Sequence, residues 1–203
     1  MPRLLALDFE TNGLHDRHCP PQPWENYPVS VAIYAVSLSG DVELLYSSRI
    51  SGATAFNSWA MRTHDFEPAD LQGEPSLAEV VSAMSALVMP GDVMVCHNVI
   101  YDMIKCLQPS CARLGVDASA ILSLPRFCTC RSDWAMDHNR DNWLSLAGLC
   151  TIFGVKNARA HTAGDDALAL AQCMSNALTA DPGQSLGLAE ELRAVVASGG
   201  LSG

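Results

Sequence analysis

The sequence predicts an α/β domain: one mixed sheet, antiparallel at one side and parallel at the other, flanked by helices. Three strand-like runs come first, and later strands alternate with helix-length amphipathic runs, which is the order such a sheet requires. Apolar residues make up 49% of the 203 residues and charged residues 17%, so a real core is affordable and a disordered chain is excluded. No internal repeat and no dividing linker is visible. The expectation is one domain over residues 1–180, followed by a C-terminal helix and flexible tail over 181–203.

Residues 3–11 read as a buried strand ending in polar side chains, and Asn12-Gly13 marks a turn. Residues 15–28 form a proline-rich loop. Its Trp24 and Tyr27 offer either a stacking surface for a base or packing against the domain. Residues 29–37 and 42–50 are strands joined as a hairpin at Ser39-Gly40-Asp41. Residues 54–73 are irregular or briefly helical. Pro75-Ser76 opens an amphipathic helix that stops before Pro90-Gly91, and 92–96 is a short β-branched strand. Residues 98–108 make a short helix that Pro109 ends. A further strand is expected at 126–130, and helices at 142–153, 163–178 and 185–197.

Lys plus Arg is 12 and Asp plus Glu is 22, a net charge of −10. That excludes a broad basic footprint for duplex DNA, and leaves a small basic groove or contact through bound cations. The most apolar stretch, 80–95, is broken by Pro90-Gly91-Asp92, too short to span a bilayer. Asp8 follows the first apolar run, which is wrong for an export signal. The eight cysteines contain no CxxC pair, although only one residue separates Cys128 from Cys130. Reduced thiols in a cytoplasmic protein are the expectation.

Three segments carry chemistry. In Leu7-Asp8-Phe9-Glu10-Thr11 strand alternation points Asp8 and Glu10 the same way, and two crowded carboxylates are best tolerated around a cation. Oxygen ligands favour Mg²⁺ or Mn²⁺. A lone pair of this kind is usually a solvated strand end. In His97-Asn98-Val99-Ile100-Tyr101-Asp102, Asn98 is the expected N-cap. Asp102 shares the inward stripe with Met103, Cys106 and Leu107, where a carboxylate needs a partner. Its bland alternative is a carboxylate favoured by the helix dipole. In His161-Thr162-Ala163-Gly164-Asp165-Asp166, Thr162 and Asp165 make a capping-box-like pair, and Asp166 faces the core with Leu170 and Cys173. A histidine beside activated water suits a general base.

Each signal is weak alone; together they resemble the DEDDh 3′–5′ exonucleases of the ribonuclease-H-like superfamily. Asp8 to Leu14 matches Asp-x-Glu-Thr-x-Gly-Leu, His97 to Asp102 matches His-Asn-x-x-x-Asp, and His161 to Ala167 matches His-x-Ala-x-x-Asp-Ala. The third spacing also selects Asp166 over Asp165. The resemblance implies a ribonuclease-H-like, five-stranded mixed sheet and release of nucleoside 5′-monophosphates from a 3′ end. It implies two divalent ions, Mg²⁺ or Mn²⁺, held by Asp8, Glu10 and Asp166, with Asp102 on the second ion directly or through water. It makes His161 the base. Phe9, Thr11, Asn12, Gly13, Leu14, Asn98 and Tyr101 are its expected substrate-binding residues.

The chain departs from that family at Asn12, where many relatives have a second threonine, at Tyr101, where Phe is common, and in the length of the 15–28 loop. The long loop is similar to that of stand-alone phage and bacterial members. The expected substrate is a single-stranded 3′ end, DNA favoured over RNA. Two rival readings stay open: an enzyme restricted to short oligonucleotides, motivated by the few basic residues, and an accessory proofreading module of a polymerase. A polymerase partner and a homodimer are also left open, and no membrane partner is expected.

Overall fold

Leu4, Leu5, Ala6 and Leu7 are all buried, so the strand they begin is covered on both faces. The computed structural model describes residues 2–13, 26–64, 67–138, 143–180 and 187–198, with the backbone alone at 137 and 138. In it that strand, β1 (Leu4–Thr11), is the middle of a five-stranded sheet. β2 (Pro28–Val36) pairs antiparallel with β1, and β3 (Val42–Arg49) antiparallel with β2. On the other side β4 (Val93–Cys96) and then β5 (Arg126–Cys128) run parallel, giving the order β3-β2-β1-β4-β5. The mixed sheet expected from the order of elements is therefore present.

Alternation along β1 decides what each face meets. Leu4 and Ala6 join a core with Leu170, Cys173, Met174 and Ala177 of α7 (Ala163–Thr179). Leu5, Leu7 and Phe9 join the opposite core with Val80, Val81 and Met84 of α2 (Leu77–Leu87). Ser76 caps α2 through a reciprocal pair with Glu79. At the far end from the carboxylates, Arg3 ties β1 to the start of β4. Its Nη2 lies 2.7 Å from Asp92 Oδ2, and Asp92 is fully buried.

Several elements differ from expectation. The stretch 54–73 contains α1 (Ser58–His64) and a 3₁₀ turn (Pro68–Leu71). After β4 the chain forms a wide π-helical segment (Ile100–Leu107), where Gln108 N–H reaches the Met103 carbonyl. Pro109 does not end the helix. It sits in the first turn of α3 (Gln108–Leu114), where its missing N–H costs nothing. Two further short helices, α4 (Ser119–Leu122) and α5 (Asp133–His138), were not foreseen. β5 stops at Cys128 because the chain turns there, Arg131 N–H donating to the Cys128 carbonyl at 3.3 Å.

α6 (Leu146–Phe153) starts later than expected, at a Ser145 cap whose hydroxyl accepts the Gly148 N–H. α8 (Leu188–Ala197) packs Leu188, Ala189 and Leu192 into the α7-side core. The rest of the expected tail, 199–203, lies outside the described residues. Among the described residues no helix is long and apolar enough to cross a membrane.

Candidate active site

Asp8 and Glu10 share the α7 face of β1, and the N-terminus of α7 brings Asp166 against them. One carboxylate oxygen from each of Asp8, Glu10 and Asp166 lies within 4.8 Å of the others. The ladder between β1 and β2 shifts register between Glu10 and Thr11, a local irregularity that re-aims the strand end.

Asp102 comes from the opposite side. Asn98 starts its segment, the carbonyl accepting Asp102 N–H at 3.0 Å and Oδ1 accepting Tyr101 N–H at 3.3 Å. Asp102 is 3% exposed, beside Met103, Cys106 and Leu107, as its stripe requires. Its carboxyl is held by backbone hydrogen bonds from Phe9 and Asn98 and faces Asp8 electrostatically, but it does not join the three-oxygen group.

The crowding shows in the titration of the groups. Burial, then the charge of Asp166, pushes Glu10 up to about 8. Burial, then the charges of Asp102, Glu10 and Asp166, holds Asp8 well above the carboxylate range. Asp102 is raised well above it too, by burial first, and Asp166 is raised by burial. Buried oxygens that resist ionisation next to one another fit a divalent cation, which favours their charged forms together.

Asp166 is gripped from two sides. Asn157 Nδ2 donates to its Oδ1, and His161 N–H donates to its Oδ2 at 3.0 Å. His161 holds this position at φ 70°, in the left-handed region, with its side chain exposed. Asp165 does something else: it accepts from Thr162 Oγ1 (2.7 Å) and Arg159 Nε (3.1 Å), and its N–H donates to Thr162 Oγ1. Asn157 was missed by sequence reasoning, since a loop asparagine four residues before His161 carries no periodicity or motif.

The expected substrate residues divide. Phe9 is 4% exposed and faces the α2 core, so its ring is withdrawn. Asn12 is fully buried, its amide donating to Ala55 O and accepting Tyr27 N–H, so it shapes the turn. Gly13 has φ 152°, and a Cβ there would overlap the Asn57 amide. Thr11 is buried, its hydroxyl 2.5 Å from the Tyr101 phenol, which ties the β1 end to the Asp102 segment. Asn98 is half-buried. Tyr27 is partly buried against the domain, its phenol donating to Ser51 O, which follows the packing alternative. Leu14, Trp24 and residues 14–25 of the long loop lie outside the described residues. Beside the His161 segment opens a groove of about 930 Å³, lined among others by Ser30, Ser48, Arg49, Arg159 and Thr162.

A mixed five-stranded sheet that gathers acidic side chains at one end of β1 fits an exonuclease. A family model described as Exonuclease (RNase_T) matches residues 5–174, and the chain belongs to that family. No curated protein matches the chain by sequence. Escherichia coli Exonuclease I bound to a dT13 oligonucleotide is similar in fold, with TM-score 0.72 and 17% identity over 96% of this chain and 44% of that one. A 3′-exonuclease solved for 3′-end specific recognition of histone mRNA stem-loop gives 0.70 and 12% over 87% and 81%. Cell-death related nuclease 4 gives 0.60 and 16% over 85% and 62%. The chain thus spans under half of Exonuclease I and about four-fifths of the histone mRNA enzyme.

Proposed function

We propose that the chain removes nucleoside 5′-monophosphates one at a time from the 3′ end of single-stranded nucleic acid, DNA in preference to RNA, using two Mg²⁺ or Mn²⁺ ions. The observation that carries this reading is the three carboxylate oxygens within 4.8 Å, in a chain of the exonuclease family. Asp8, Glu10 and Asp166 would hold the ions, with Asp102 completing the set directly or through water. When bound, such ions supply Lewis acidity and offset the negative charge that gathers on phosphate and carboxylates. His161, exposed on the segment that also grips Asp166, takes the proton of the attacking water at its imidazole. Thr11, Gly13, Leu14, Asn98 and Tyr101 frame the terminal nucleotide, while Asn12 acts through the turn it shapes and Phe9 through the core that holds β1. The groove carrying Arg49 and Arg159 supports a short backbone contact in an otherwise acidic chain.

Restriction to short oligonucleotides is favoured by one observation, the 12 basic residues against 22 acidic ones. A cytoplasmic setting belongs to the proposal and is supported by seven free cysteines among the described residues. Neighbouring folds were solved with a DNA oligonucleotide and for histone mRNA recognition, so the choice of polymer is tested directly. End-labelled DNA, RNA and dinucleotides are incubated with Mg²⁺, Mn²⁺ or EDTA, beside Asp166→Ala. The expected result is stepwise 3′ release, faster on DNA, lost with EDTA and in the variant. Intact polymers with cleaved dinucleotides favour the short-substrate reading. No cleavage of any substrate overturns the proposal, and stoichiometric co-purification with a polymerase chain then supports the accessory module. His161→Ala is expected to lower kcat by about 10²–10⁴.

A further inference from the structure

Two thiols meet at the end of β5, outside the carboxylate cluster. The turn that stops β5 folds Cys130 back over Cys128, and their sulfurs stand 3.6 Å apart. A disulfide requires about 2.05 Å between sulfurs and Cα atoms about 4.4–6.8 Å apart. The sulfurs must approach by about 1.5 Å more to bond.

Their environments differ. Cys128 is half-buried, whereas Cys130 is 3% exposed. The Cys130 hydrogen bond, with backbone bonds from Val99, Cys130 and Arg131, holds Cys128 below the usual thiol range. The same sulfur contact, then burial, pushes Cys130 up. A half-buried thiol 3.6 Å from a sheltered partner is the arrangement of a sensing and a resolving cysteine.

We propose that Cys128 and Cys130 form an oxidation site for hydroperoxides, and that closing it to a disulfide slows the enzyme. The Cys128 thiolate attacks the O–O bond, keeps one oxygen as a sulfenic acid and releases the other as an alcohol or water. The Cys130 thiol then attacks that sulfur, and the hydroxyl leaves as water with the Cys130 proton. Each sulfur gives up one electron and the peroxide gains two.

Thr129, between the pair, carries the effect inward. Its N–H donates to the Cys96 carbonyl at 3.1 Å, and its hydroxyl is 2.9 Å from His97 Nδ1. His97 Nε2 is also held, 2.9 Å from the Leu144 carbonyl. His97 leads directly into Asn98, which starts the segment bearing Asp102. Drawing the sulfurs together twists Thr129 and loosens its hold on His97. Cys150 and Cys173 also approach, to 3.9 Å, but are 4% and 0% exposed and have raised thiol pKa values. They serve as an internal control.

The slowing rests on the exonuclease reading, so the bond and the activity are measured separately. The reduced full chain is treated with graded hydrogen peroxide, alkylated, digested and weighed by mass spectrometry, with exonuclease rate followed in parallel. The expected result is loss of two hydrogens on the peptide holding 128–130, a matching fall in rate of at least about fivefold, and recovery of both with dithiothreitol. Cys128→Ser is expected to keep the basal rate and to resist the oxidant. Free thiols at 128 and 130 after treatment, a disulfide at 150–173 instead, an unchanged rate once the bond forms, or equal inhibition of Cys128→Ser each overturn the proposal. A reduced chain that cleaves nothing overturns the exonuclease reading instead, and with it the slowing, while the mass shift still decides whether the pair closes.

Discussion

Asp165 and Asp166 are neighbours with opposite duties. Asp166 sits with Asp8 and Glu10, whereas Asp165 closes the cap of α7 with Thr162 and pairs with an Arg159 side chain that is 79% exposed. Asp166→Ala is expected to abolish exonuclease activity without lowering the melting temperature of the metal-free chain, because one crowded carboxylate is gone. Asp165→Ala is expected to keep activity and to cost about 1 kcal/mol, mostly the cap, since so exposed an ion pair contributes little. Thermal melts and rates on the two variants check both. Asn157 acts through Asp166: its amide holds one carboxylate oxygen while its own Oδ1 is buried without a partner. Asn157→Ala should raise the Mn²⁺ concentration for half-maximal binding about tenfold, as loss of such outer support does, with the fold intact. Calorimetric metal titration of the two proteins reads that shift.

At the scale of elements, local patterns that repeat were legible and single-residue exceptions were not. The stripe Asp102, Met103, Cys106, Leu107 is buried as its spacing implies, although the segment is π-helical. Pro109 was misread because the same ring that breaks a helix interior is harmless in a first turn, and only the chain after it tells which applies. α5 was invisible because six residues hold too little periodicity. The Arg3–Asp92 pair was also unforeseen, since it joins positions 89 apart in sequence. It locks the start of β1 to that of β4, and Arg3→Ala leaves the buried Asp92 carboxylate with only the backbone N–H groups of residue 3 and Met89. The expected cost is about 1–3 kcal/mol by urea unfolding, with the Mn²⁺ midpoint unchanged because the carboxylate cluster lies at the other end of β1.

For the whole molecule, the acidic site opposes folding unless a cation is present. Asp8, Glu10, Asp102 and Asp166 all have folded pKa values above their unfolded ones. Their burial costs least below the unfolded values near pH 4, and stability is lost as pH rises, through about 8 for Glu10. The melting temperature in EDTA is therefore expected to fall by several degrees between pH 5 and 8.5 from these groups. Mg²⁺ should raise it most at the upper end, where binding releases fewest protons. Asp8→Asn should flatten the curve in EDTA. A flat profile for the unaltered chain would show that the carboxyls are not coupled in this way.

The sequence by itself determined the mixed α/β class, the strands and main helices, and the face on which each acidic residue lies. Those follow from periods of two and 3.6 residues, which are local. It also distinguished Asp166 from Asp165, because a cap and a core stripe are both written within one helix turn or two. Only the tertiary structure decided that Asp8, Glu10 and Asp166 come within 4.8 Å, that Asn157 holds Asp166, and that Phe9 and Asn12 are withdrawn inside. It alone placed the sulfur of Cys130 beside that of Cys128. Such contacts depend on how the sheet, a loop and a turn meet in space, and no period in the chain encodes that meeting.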